Sequence, residues 1–142
     1  MKSIFFSIPG RPIPKGRPRA ARVGKFVKMY TPSTTASYEN LVKVYYGMAS
    51  KLDPLTGALR VVIDCYFPVP ASLSMKKTNA ILENKTKYVK MPDVDNVGKC
   101  ILDALNSFAF VDDKQVYHLT VAKWFSAKPR ADVTIYYDEE EE

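Results

Sequence analysis

The apolar residues of the chain follow two different periods, and each predicts a different element. Residues 3–8 form a short apolar and aromatic run ended by Pro9, which predicts a strand. Over residues 59–67 the period is two: Leu59, Val61, Ile63, Cys65 and Phe67 alternate with Arg60, Asp64 and Tyr66, as in a half-buried strand. That strand stops at Pro68-Val69-Pro70. Elsewhere the period lengthens to that of a helix. Thr31-Pro32-Ser33 signals a helix start with proline in the first turn, and Tyr38, Leu41, Val42, Tyr45 and Ala49 then make one stripe. Across 96–108, Val97, Cys100, Ile101, Ala104, Leu105 and Phe108 share one helical face, while Asp95, Lys99, Asp103 and Asn106 share the other. Residues 72–84 fit a shorter helix with Lys76 and Lys77 exposed. Residues 115–125 and 131–137 read as two strands of a hairpin turning at 126–129. Residues 10–30, rich in proline, glycine and positive charge, read as an exposed loop. There are no internal repeats and no long linker. The expectation is one α+β domain over residues 1–137, a mixed sheet of about four strands with two or three helices packed on it. Residues 138–142 are an acidic tail expected to be disordered.

Composition narrows the class. With 46% hydrophobic residues and 12% aromatics in 142 residues, the chain can build a core without staples and is not a disordered sequence. No apolar run approaches the roughly 18 residues of a membrane span, and the N-terminal segment has its charges in the wrong order for a signal peptide. No membrane association is expected, and the expected location is the cytoplasm. Cys65 and Cys100 stand outside any metal-binding spacing, so both are expected as buried, reduced thiols. The lone His118 sits in a strand-like run and is expected to be structural.

The net charge of +6 hides an asymmetry. Without the five acids of the terminal run, twenty-one bases face ten acids, and the first 38 residues carry eight bases and no acid. Such a field draws polyanions, although a solvated surface would carry the same charge. Arg11, Lys15, Arg17, Arg19, Arg22, Lys25 and Lys28 are candidates to track a phosphate backbone, with Lys76 and Lys77 beside them. Phe26 and Tyr30 are available to stack on bases or, equally, to anchor a core.

Candidate chemistry concentrates in Met91-Pro92-Asp93-Val94-Asp95-Asn96-Val97-Gly98-Lys99, with Asp112-Asp113 following about 20 residues on. If residues 93–95 are extended, the carboxylates of Asp93 and Asp95 project to the same side. Asp95 or Asn96 could cap the helix that follows, and the helix could return the chain to bring Asp112-Asp113 near. Carboxylates gathered in this way repel unless a cation lies between them, and all-oxygen donors suit Mg²⁺ rather than softer metals. The calcium loop of an EF-hand does not fit, because Val97 and Ala104 stand where ligands are needed. A capped helix beside an ordinary acidic turn explains the same residues. On chemistry alone, a metal nuclease and that plainer reading both stand.

A wider pattern favours the nuclease. Pro92-Asp93-Val94-Asp95-Asn96-Val97-Gly98-Lys99, then Leu102-Asp103-Ala104-Leu105, then Asp112-Asp113-Lys114-Gln115-Val116 and Lys123 resemble the signature of the RusA family of Holliday junction resolvases. The early Pro12-Ile13-Pro14-Lys15-Gly16-Arg17-Pro18-Arg19, with Tyr30-Thr31-Pro32, is similar to the branch found in Gram-positive bacteria and their phages. The resemblance runs from Ser3 to about Tyr137. It implies a homodimeric nuclease that needs Mg²⁺, for which Mn²⁺ can substitute, and that cuts four-way DNA junctions by paired nicks in recombination and repair, with no small-molecule cofactor. Carried onto this chain, Asp93, Asp95 and Asp113 match the family's catalytic, metal-holding aspartates and Lys99 its essential lysine. Asp112, counted with the metal set, and Asp103 match further recurrent acids. Gly98, a poor helix former beside the site, and the acidic tail are departures that the family does not explain. A flap- or fork-cutting nuclease and a non-catalytic architectural DNA-binding protein remain as alternatives.

Overall fold

The computed structural model describes residues 1–16, 19–30, 33–83 and 86–139. The expected helix start at Thr31-Pro32 and the tail residues 140–142 lie outside the described residues. In chain order the elements are β1 (Lys2–Pro9), β2 (Arg19–Val23), β3 (Phe26–Tyr30), α1 (Ser33–Ala49), β4 (Leu59–Pro68), α2 (Met75–Leu82), α3 (Val94–Leu105), β5 (Val116–Ser126) and β6 (Arg130–Tyr137), with one 3₁₀ turn at Asp113–Gln115. The main sheet has the order β1-β6-β4-β5. Its β4–β5 pair is parallel, while β4–β6 and β1–β6 are antiparallel. This is the α+β architecture that the patterning predicts.

β4 is the spine. Leu59, Val61, Ile63, Cys65 and Phe67 point into the core at full burial, and the residues between them face partly outward. Val133, Ile135 and Ala131 of β6 and Ile4, Phe6 and Ile8 of β1 continue that inner face. α1 and α3 cover it, with Tyr38, Val42 and Tyr46 from one helix and Val97, Cys100, Ile101, Ala104 and Leu105 from the other. Both cysteines are buried and free, as expected, and burial pushes each thiol up to about 12. No helix among the described residues is long and apolar enough to cross a membrane.

Four expectations are corrected. β5 and β6 do not form a hairpin, because β4 lies between them and pairs with both. The segment joining them instead passes the end of β4, where Pro68 stops the strand. Residues 10–30 are not all loop, since β2 and β3 pair with each other across a two-residue turn in which Gly24 has φ +60. A glycine at the first central position is what a tight hairpin turn demands. α3 starts at Val94 and ends at Leu105, where Asn106 turns extended and Ser107 adopts φ 64, so Phe108 leaves the helical face. His118 is exposed on β5, with Tyr117 edge-on to it, and carries no part of the core.

Two exposed ion pairs lie where the acidic tail begins. Asp138 lies 3.8 Å from the N-terminal amine, and Lys2 pairs with Glu139.

Candidate active site

Asp93 is the N-cap of α3, extended at φ −65 and ψ 143, and it makes no side-chain capping hydrogen bond. Asp95 lies in the first helical turn. The two are therefore not consecutive residues of one extended face, contrary to the expectation, because the helix begins earlier than Asn96. Both are solvent-exposed. An uncommitted carboxylate at a helix N-terminus sits where the dipole favours negative charge, and its oxygens remain free for a ligand.

The loop that carries Asp93 is held from beneath. Tyr88 donates its hydroxyl to the Met91 carbonyl at 2.6 Å while its ring stacks on Phe67 at 4.4 Å. Lys123, reaching up from β5, donates to the carbonyls of Lys90 at 2.8 Å and Pro92 at 2.9 Å. The Met91–Pro92 peptide is cis. Lys123 thus fixes the backbone one residue before the first aspartate. The sequence marks Lys123 as part of the family pattern but does not show this role, since its partners are carbonyls. Beside the loop is a cavity of about 450 Å³ lined by Arg11, Pro68, Val69, Pro70, Tyr88, Lys90, Met91 and Phe125. Two cations at its wall make it suitable for a phosphate strand approaching Asp93.

Further along α3, Lys99 is exposed and lies 3.7 Å from Asp103. Asp103 also faces Lys15 at 3.2 Å, and Lys15 contacts Glu39 at 2.6 Å. Burial works against the charge of Lys15, but its hydrogen bonds to Glu39 and Asp103 outweigh that and raise its pKa. Lys15 is expected from sequence to contact DNA. The structure turns it inward, only 19% exposed, where it pins the N-terminal segment to α1 and α3. Its backbone N–H reinforces the junction by donating to the Asn96 carbonyl at 3.0 Å.

Asp112 and Asp113 lie at the opposite end of α3. The Asp113 N–H donates to Asn106 Oδ1 at 3.1 Å, and Asn106 is the helix C-cap. The twelve residues of α3 span roughly 18 Å, so one chain does not bring Asp113 to Asp93 and Asp95. Among the described residues, no three His, Cys, Asp or Glu side chains form a group able to hold a metal ion. Asp112 acts locally, for its carboxylate accepts from Lys114 N–H at 2.9 Å while Gln115 Oε1 accepts from Asp112 N–H. That backbone hydrogen bond from Lys114 holds the Asp112 carboxyl below its ordinary value. Gln115 also donates to the carbonyls of Leu55 and Gly57, both at 2.9 Å, which fixes the acidic turn to the body. Asp113 is left exposed.

Of the remaining basic candidates, Arg11, Arg22, Lys25 and Lys28 are exposed, Lys76 and Lys77 are exposed on α2, and Arg17 and the side chain of Arg19 lie outside the described residues. Phe26 is also exposed, which removes the core-anchoring alternative for it.

Comparison with known proteins agrees with this arrangement of motifs. A Bacillus subtilis (strain 168) protein described as uncharacterized protein YqaN is 34% identical over 138 residues, covering 95% of this chain and 96% of its own. Residues 9–136, which include both ends of α3 and the loop held by Lys123, match the family described as endodeoxyribonuclease RusA. The chain therefore belongs to the RusA endodeoxyribonuclease family.

Proposed function

We propose that the protein is a divalent-metal-dependent endonuclease that resolves four-way DNA junctions by paired nicks in recombination and repair, acting in the cytoplasm as a homodimer with each active site shared between the copies. One observation carries this reading: two exposed carboxylates, with no side-chain hydrogen bond among the described residues, stand at one end of α3 and a third stands at the other. A hard cation held by protein oxygens needs more than Asp93 and Asp95 can supply. A second copy offers what is missing. β5 is an edge strand, and residues 117–120 are exposed along it, Tyr117 and Leu119 among them. An apolar edge of this kind is a template for pairing with another strand. Antiparallel pairing of two β5 strands about an axis near Leu119 sets Gln115 across from the partner's Lys123. That brings the partner's Asp113 toward Asp93 and Asp95. The exposed apolar residues fit the same symmetry: Val89, Met91 and Val94 flank one end of β5, and Val111 and Tyr117 flank the other. A two-fold contact lays one group on the other twice.

Mg²⁺, or Mn²⁺ in its place, would supply polarisation of the phosphate and activation of water. Asp93, Asp95 and the partner's Asp113 would hold it, and Asp112 would keep the turn that presents Asp113. Lys99 stabilises negative charge developing on the scissile phosphate. Arg11 and Lys90 receive the adjacent backbone, Arg22, Lys25 and Lys28 reach the DNA arms, and Lys76 and Lys77 add weaker contacts on α2. A carboxylate of the set accepts the proton of the attacking water, the P–O3′ bond breaks as the new P–O bond forms, and the leaving 3′ oxygen takes a proton from solvent, giving a 5′-phosphate and a 3′-hydroxyl.

Subunit mixing tests the shared site. Asp93→Asn and Asp113→Asn should each abolish nicking while preserving junction binding. Mixed after dissociation, they should form heterodimers in which one site carries both changes and the other carries neither. About a quarter of the wild-type site number should return, as single nicks rather than paired ones. No recovery from properly formed heterodimers would refute the sharing. Full activity of both variants alone would refute the aspartates as the site.

A further inference from the structure

The β2–β3 hairpin has surface chemistry that nuclease chemistry at α3 does not require. Its two strands form a separate two-stranded sheet and, among the described residues, pair only with each other. An isolated hairpin of this size is marginal in water, so apolar residues on it would ordinarily be directed into a core. Here four large ones are open to solvent: Phe26 at 78%, Val27 at 69%, Met29 at 60% and Val23 at 59%. They occupy both faces. Val23 pairs with Phe26 and Ala21 with Lys28 on one side, while Arg22 pairs with Val27 and Ala20 with Met29 on the other. Arg22, Lys25 and Lys28 are interleaved with them, and no acid occurs before Glu39. A partner that suits this surface must combine negative charge with flat apolar faces. Nucleic acid offers both where its bases are unstacked.

The root of the hairpin adds position to chemistry. Lys15 N–H is bonded to Asn96 O beside Asp95, and Gly16 N–H donates to Thr35 Oγ1 at 2.9 Å. Five-residue strands extend about 17 Å, roughly five base steps of duplex. Gly24 comes eight residues after Gly16, so the tip lies within about 27 Å of this root, roughly eight base steps of duplex.

We propose that this hairpin is a wedge: Phe26 and Val27 at its tip insert between base pairs at the branch point and unstack them, while Arg22, Lys25 and Lys28 grip the flanking phosphates. Apolar side chains inserted at a base step, with basic residues beside them, are a general means of kinking DNA. The inference rests on the reading of the protein as a junction nuclease, and its test separates the two.

The probe is a four-way junction with 2-aminopurine at the branch point, whose fluorescence rises on unstacking, bound in Ca²⁺ and then cut in Mg²⁺. Wild-type protein should raise the fluorescence several-fold. A Phe26→Ala/Val27→Ser double variant should bind within about three-fold of wild type, lose the rise and cut at least ten-fold more slowly. A junction with unpaired bases built into the branch point should restore its rate. The altered side chains are exposed, and an unchanged melting curve verifies the fold. If wild type cuts without a fluorescence change, or if the variant cuts intact junctions normally, the wedge is overturned and the nuclease reading stands. Equal loss of binding to junction and plain duplex would also overturn it, marking a general anchor. So would binding to anionic phosphatidylglycerol vesicles that the variant loses while junction opening persists. Wild type that opens the junction yet cuts no DNA keeps the wedge and removes the nuclease reading.

Discussion

Gly98 stands five residues into α3, where an alanine would improve helix formation by about 0.8–1 kcal/mol. The structure predicts that Gly98→Ala nevertheless destabilises the protein. A Cβ on Gly98 would lie 2.8 Å from Val121 Cγ2, 3.4 Å from Cγ1 and 3.6 Å from Cβ. Ordinary carbon contacts are about 3.5–4 Å, so the first overlap approaches 1 Å. Val121 is β-branched and stiff, and rotating one methyl away brings the other in. Helix and strand must separate, at an overpacking cost of about 1–3 kcal/mol. Subtracting the helix gain leaves a net loss of about 1 kcal/mol, a fall in melting temperature of roughly 3–4 °C for a chain of this length. The decisive measurement is a double-mutant cycle by urea or thermal unfolding at fixed protein concentration. In a Val121→Ala background the clash is gone, and Gly98→Ala should become stabilising by about 1 kcal/mol. The coupling between the positions should then be about 1–3 kcal/mol. A Gly98→Ala that is neutral or stabilising beside native Val121, with coupling under about 0.5 kcal/mol, would refute the close approach. Because α3 carries Asp93 and Asp95 while β5 carries Lys123, the same displacement should slow nicking even where the protein remains folded.

Other outcomes follow from the same contacts. Lys15→Gln leaves Glu39 without its cation and Asp103 with the more distant Lys99 alone, and should cost about 1–3 kcal/mol, whereas Lys28→Gln should weaken DNA binding without altering melting. Since the pKa of Lys15 is raised in the folded state, its contribution is fully present below the unfolded value near 10.4 and is lost as pH rises through the folded value. The wild-type advantage over Lys15→Gln should therefore hold at neutral pH and shrink in strongly alkaline solution, as urea titrations at several pH values will show. Cys65 and Cys100, both buried with thiols pushed up to about 12, should resist a thiol reagent at neutral pH in native protein and react fully in urea. Lys123→Met retains bulk but frees the Pro92 and Lys90 carbonyls, so nicking should fall at least ten-fold while junction binding changes little.

Which parts of this molecule can be read from its residues depends on what each residue buries. β4 was legible because five alternate side chains enter the core, and α3 because its apolar face is continuous from Val97 to Leu105. The placement of β5 beside β4, and of β6 on β4's other side, was not. Strand patterning marks which face is buried but carries no record of which neighbour pairs, and short connections favour the hairpin by default. β2 and β3 escaped notice for a related reason: exposed on both faces, they have no apolar–polar alternation, and only Gly24 in the turn marks them. Charge misled at Lys15, because a sequence does not distinguish a lysine held between Glu39 and Asp103 from one free to meet phosphate.

The aspartates show a limit of a different kind. Their identities stand out in the pattern around Pro92 and Asp112, but the separation of Asp113 from Asp93 follows from the length of α3 and needs the fold to be seen. A site divided between identical copies writes each half correctly into every chain and leaves no local motif for the joint. What such a joint does leave is an inconsistency at the surface. An edge strand that stays in water is best blunted by charge, proline or a covering element. β5 instead exposes Tyr117 and Leu119, with Val111 and Met91 beyond its two ends. On the proposed pairing these residues are buried at the same moment that the carboxylates meet. Placing a lysine at Leu119 should then separate the copies and abolish cutting together, and a Leu119→Lys monomer that still nicks junctions would show that one chain suffices.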